Sequence, residues 1–238
     1  MSTQNTLYKS QIAINDKIHI VIPTVGEVID MEDEYYTLVS ILTAMPIDFM
    51  VQLYDVGIDF AEIDEWELFL LLFNELRSHD TSLIFSDLDL SKFKMAANEQ
   101  NGEVVLLDSE HDIVIDRAIH ALIANAFRRL HHLEQNLRKP ANDDAKQFMI
   151  ERARAKLRRR RNRAEESHLE SLIIAMVNTE QYKYDYASTR SLTIYQFNES
   201  VRQIVNKIDY EHRMHGIYAG TIDAKSLSQD DLTWLKHK

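Results

Sequence analysis

Hydrophobic and polar positions along the chain change rhythm near Asp112. Before it, short β-like runs alternate with helical stripes. IHIVIP (Ile18–Pro23) is short and β-branched, and Pro23 stops it, which predicts a strand. Met31–Ala44 predicts a helix whose first turn is acidic, where carboxylates suit the helix dipole. Asp64 with Glu67 is a capping box, and WELFLLLFNEL then predicts a helix apolar nearly all round, buried on several sides. KFKMAANEQNGEVVLL predicts a β-hairpin with Asn101-Gly102 as a type I′ turn.

After Asp112 the pattern is helical. Ile115, Ile119, Leu122, Ile123, Ala126, Leu130, Leu133 and Leu137 recur in steps of three and four, which predicts one helix of more than six turns ending before Pro140. Asn142 can cap the next segment, whose apolar stripe is thin: Met149 or Ile150, Ala153 and Leu157. Ser167 with Glu170 is a second capping box and Thr193 with Gln196 a third. The third opens a helix whose face is Ile194, Phe197, Val201, Ile204, Val205 and Ile208, with Gly216 as its C-terminal cap. No internal repeat has a fixed period.

The expected fold is therefore mainly α (α+β): a helical bundle-like body with a small β-hairpin-containing N-terminal part. The expected organisation is an acidic mixed α/β region over 1–112, a long helix plus basic arm or linker over 113–166, and a C-terminal helical region over 167–238. Composition agrees, because 5 Gly and 3 Pro leave room for few hairpins. Absence of cysteine excludes disulfides, thiolate metal sites and cysteine nucleophiles. The N-terminal stretch is not suited to secretion, and no apolar run reaches the roughly 18 residues of a membrane span, so a soluble protein of a reducing cytoplasm is expected.

Charge is unevenly spread. Residues 1–116 carry 5 Lys/Arg against 23 Asp/Glu, a net of −18. Residues 117–163 carry 14 basic against 4 acidic, a net of +10, within an overall −11. An acidic first half repels nucleic acid, so a polyanion contact would be confined to the middle segment. The basic run is Arg152, Arg154, Lys156, Arg158, Arg159, Arg160, Arg161 and Arg163. On a helix these residues spread around most of the circumference, and no aromatic is interleaved for base stacking. The run reads as a solvated arm or linker, as a contact for acidic protein surface (another copy included), or as a nucleic-acid contact. It is the candidate interaction site.

Catalytic chemistry is mostly missing. There is no Gly-rich phosphate loop, Walker motif or GxSxG elbow. His131-His132 and the pair His212 and His215 could contribute metal ligands, but no HExxH or carboxylate partner motif accompanies them. Asp55, Asp59, Asp64, Asp87 and Asp89 match no calcium loop and read as a solvated acidic face plus helix caps. No enzyme, no metal and no organic cofactor are expected.

Three stretches carry a resemblance: IPTVGEVIDMEDEYYTLVSILTAMPIDFMVQLYDVGIDFAEIDEWELFLLLF; KPANDDAKQFMIERARAK followed by SHLESLIIAMVNTEQYKYDY; and LTIYQFNESVRQIVNKIDYEHRMHGIYAGTIDAKSLSQDDLTWL. Their order and content resemble tail assembly chaperones from the structural-gene clusters of tailed phages of Gram-positive hosts. The resemblance covers most of the chain and implies a largely helical, non-enzymatic protein in the host bacterial cytoplasm. Its implied partners are the tape-measure protein, whose long apolar helices it would keep soluble, and the tail-tube subunits. The alternatives are a nucleic-acid-binding phage accessory factor using residues 152–163, or a permanent minor virion component.

Overall fold

The computed structural model describes residues 5–98, 102–161 and 167–235. Among the described residues it is mainly α, 55% helical, with only a two-stranded and a three-stranded sheet. The strand expected at Ile18–Pro23 is β2 (His19–Val21), paired antiparallel with β1 (Gln11–Ala13). Next come α1 (Val25–Asp30), α2 (Glu32–Leu42), α3 (Met50–Asp55) and α4 (Glu65–Leu76). The second sheet is β3 (Lys94–Ala97), β4 (Val104–Asp108) and β5 (Ile113–Ile115), antiparallel in that order. Then follow α5 (Arg117–His131), α6 (Asp143–Arg161), α7 (His168–Val177), α8 (Tyr186–Ser191) and α9 (Ile194–Tyr218).

Local chemistry explains most of these boundaries. Asp64 accepts from the Glu67 amide while the Glu67 carboxylate accepts from the Asp64 amide, closing the expected capping box. Thr193 and Gln196 do the same for α9. Asn142 accepts from the Ala145 amide and opens α6. Ser167 caps only one way, accepting from the Glu170 amide. Its hydroxyl donates to Glu32, whose other carboxylate oxygen accepts from the Leu169 amide at 2.9 Å. The first turn of α7 is thus held by a residue from α2.

Three expectations are corrected. The helix expected to run to Leu137 ends at His131: His132 is left-handed (φ 53°), and the His132 and Leu133 amides both turn back to the Arg128 carbonyl. The three- and four-residue spacing continues past this point, but Leu133 and Leu137 are 44% and 70% exposed, so no burial sustains it. The α9 cap is not Gly216 but Gly220 (φ 71°), because the Thr221 and Ile222 amides reach back to the Gly216 carbonyl and leave Gly216 inside the helix. In the hairpin, Ala97 faces Val104, and Asn98 donates to the Glu103 carbonyl. That register leaves 99–102 as the connection, longer than the two-residue turn expected; Asn101 itself lies outside the described residues.

The main core gathers residues from Ile12 through Tyr35, Phe73, Phe93 and Phe127 to Leu169 and Phe197. Backbone bonds stitch its distant parts: Val25 donates to the Leu192 carbonyl and Ile194 to the Pro23 carbonyl, both at 2.8 Å. Gly26 allows α1 and α8 to approach, since a Cβ there would stand 3.1 Å from the Arg190 carbonyl oxygen. A smaller cluster gathers Met45, Val51, Leu53, Phe60, Leu68 and Ile150. Among the described residues no single helix is long and apolar enough to cross a membrane.

Candidate interaction surface

The basic run is carried by α6, and its two ends behave differently. The first half of the helix docks. Ile150 is 3% exposed and packs into the smaller cluster, with Met149 and Ala153 against its edge. Lys146 bonds Asp59 at 2.7 Å, and Arg154 pairs with Asp55 while lying 5.8 Å over the Tyr54 ring. The thin stripe therefore drives burial at one position, Ile150, because α3 and α4 offer it a socket.

The second half projects. Arg152, Lys156, Arg158 and Arg159 are exposed and make no ion pair with a described residue, and Leu157 is 39% exposed. Arg160 and Arg161 belong to the helix by backbone, but their side chains, like Arg163 as a whole, lie outside what is described. Among the run residues whose side chains are described, Arg154 alone meets a described carboxylate.

The carboxylates singled out in the sequence are dispersed into local tasks. Asp55 and Asp59 hold α6, Asp64 caps α4 and pairs with Arg117, and Asp89 accepts from Ser91. The Lys146 and Ala61 donors hold Asp59 below the usual carboxylate range. The histidines are dispersed as well. His131 is half-buried against the Tyr35 hydroxyl at 2.9 Å, and desolvation, with neighbouring His132, pushes it down to about 4. His132 stands 3.6 Å from Glu199. His212 and His215 lie exposed on α9. Sequence reasoning missed one group, Asp108, Glu110 and His111, whose ligand atoms lie within 4.8 Å of one another. Its geometry is that of a turn: the Asp108 carboxylate accepts from the Glu110 amide at 3.0 Å and contacts the His111 ring at 2.7 Å.

Also missed were His120 and Arg128 of α5, both buried. His120 stacks on Phe69 with ring centroids 4.1 Å apart, and burial, then the charge of Arg128, pushes it down to about 4. Arg128 donates to Glu65 at 2.6 Å and to the Thr43 carbonyl at 3.0 Å. No spacing rule signals either, since both roles depend on α2 and α4 arriving from elsewhere.

The third feature is α9. Ile194 and Phe197 are buried, Val201 and Ile204 pack on the core edge, and Val205 is 48% exposed. Beyond Ile208 the same helical stripe continues as His212 and His215. Among the described residues nothing after Phe197 is buried, although Leu232 and Leu235 follow.

Residues 160–238 match the family model YomV second domain. That family is phage-derived, and the match supports a phage protein. It covers the C-terminal third of the chain, which includes α7, α8 and α9. Comparison with curated proteins and with solved structures finds no match.

Proposed function

We propose that this phage protein is non-enzymatic and acts as a tail assembly chaperone in the host cytoplasm, binding apolar helices of the tape-measure protein and contacting tail-tube subunits. The observation that carries the reading is α9: a 25-residue helix whose apolar stripe leaves the core after Phe197 and reaches solvent at Val205. An amphipathic client helix would cover that stripe by the same i, i+3, i+4 packing that builds helix pairs within proteins. The phage-derived family match falls on the same segment, which supports the assignment of this region to a phage task.

The test is co-expression of the chain with the tape-measure protein of the same phage. Co-purification is expected, and Val205→Asp, which places a charge on an exposed position, should abolish it while the circular dichroism spectrum stays unchanged. Failure to co-purify, or an undiminished complex with Val205→Asp, would refute the reading. Retention in finished particles would instead indicate a minor virion component. A nucleic-acid role draws support from Lys156, Arg158 and Arg159 of α6, which are exposed and pair with no described carboxylate. It predicts duplex affinity that falls steeply with salt and is lost when Arg158 and Arg159 are replaced.

A further inference from the structure

The basic half of α6 has a defined outer face. Ile150, Ala153 and Arg154 mark the side turned to α3, so a period of 3.6 places Arg152, Ala155 and Arg159 on the opposite side, in one row at i, i+3 and i+7. All three are exposed, and neither arginine pairs with a described carboxylate. The row reads basic, small, basic, with the arginines about 10 Å apart along the axis at ~1.5 Å per residue.

A second helix carries the opposite row. Trp66, Leu68, Phe69, Phe73 and Leu76 of α4 are buried, which leaves Glu67, Leu71 and Glu75 on its solvent side at i, i+4 and i+8. Leu71 is 52% exposed, flanked by one carboxylate a turn before it and one a turn after. Glu75 makes no ion pair with a described residue, and Glu67 uses one carboxylate oxygen to cap α4. This row reads acidic, apolar, acidic, and its carboxylates stand about 12 Å apart at the same rise.

We propose that the outer face of α6 docks on the outer face of α4 of a second copy of this chain. Ala155 admits Leu71 between the helices, and Arg152 and Arg159 meet Glu67 and Glu75. The chain already uses this pairing internally: Asp55, Asp59, Asp64 and Glu65 of the acidic part receive Arg154, Lys146, Arg117 and Arg128 of the basic part. The two outer rows are what remains of the same complementarity. The net −11 repels a second copy at long range as it does any polyanion, so the preference for another copy rests on the two matched local rows. Each chain carries one face of each kind, so every copy can both offer and receive the contact.

The experiment is sedimentation of the full chain over a concentration series at low and high salt. Reversible self-association is expected at low salt, weakened at least tenfold by high salt. Arg159→Glu should weaken it by a similar factor, as should Glu75→Arg, and the double variant carrying both should recover most of the loss. Leu71→Asp should weaken it without changing the melt. A chain monomeric at every concentration would overturn the proposal, as would self-association indifferent to salt and to these substitutions, or two charge reversals whose effects merely add. Tight binding of a duplex DNA probe at physiological salt by a strictly monomeric chain, lost in Arg159→Glu, would assign the face to nucleic acid instead.

Discussion

Lowering the pH from 7 to 5 should cost this protein several kcal/mol through two desolvated imidazoles, one buried and one half-buried. His120 and His131 each stand at about 4 in the fold against 6.5 in the unfolded chain. Between those values the unfolded state binds a proton that the folded state refuses, so stability is fully present above about 6.5 and falls as the pH drops toward about 4. At pH 5 each group contributes a loss of about 2 kcal/mol, or roughly 4 together, a large part of a domain's usual margin. Both refusals have structural causes. His120 packs against both Phe69 and Trp66 with Arg128 nearby, and its Nε2 has no partner among the described residues. His131 is enclosed by Tyr35 and Tyr36. Urea melts at a series of pH values read the slope directly. The variant His120→Phe, His131→Phe changes the absolute stability but should lose most of the slope. Capped or paired carboxylates such as Asp59 and Asp64 are held low, so their loss falls in a separate window below about 4. A stability flat from pH 7 to 5, or a slope unchanged in the double variant, would refute the argument.

Other substitutions probe the packing. Ile150→Ala should destabilise by about 2–5 kcal/mol by emptying the socket that holds α6, read as a lower urea midpoint. Arg128→Ala should cost about 3–5 kcal/mol, because it leaves Glu65 facing a vacated, half-buried site and the Thr43 carbonyl without its donor. Glu32→Ala should remove about 1 kcal/mol by taking away the acceptor of the Leu169 amide in the first turn of α7, seen in thermal melts and as faster amide exchange at Leu169.

The parts legible in the sequence are those decided within a few residues. The capping boxes at Asp64 and Thr193, the Asn142 cap and the strand at Ile20 rest on local hydrogen bonding and β-branched sterics. The parts misread depend on distant partners. Leu133 and Leu137 keep helical spacing, yet nothing arrives to bury them, so the chain turns at His132. Conversely, Ile150 sits in a weak stripe and is buried because Leu53 and Leu68 meet it. The basic arm was visible as composition, but only the docking of Ile150 decides which of its arginines face solvent.

The absence of any buried side chain after Phe197 among the described residues sets a hierarchy of opening energies. Residues 198–235 are tied to the body by few apolar contacts, by Asn198 to the Leu130 carbonyl and by Glu199 3.6 Å from His132, while Arg213 and Asp231 pair within the segment itself. Their amides should therefore exchange through a partial unfolding that leaves Tyr35, Phe73 and Phe127 packed. Hydrogen exchange should resolve this end as a separate cooperative unit. A partner that covers α9 would then act first on that unit, slowing its exchange while the body's rates stay as they were.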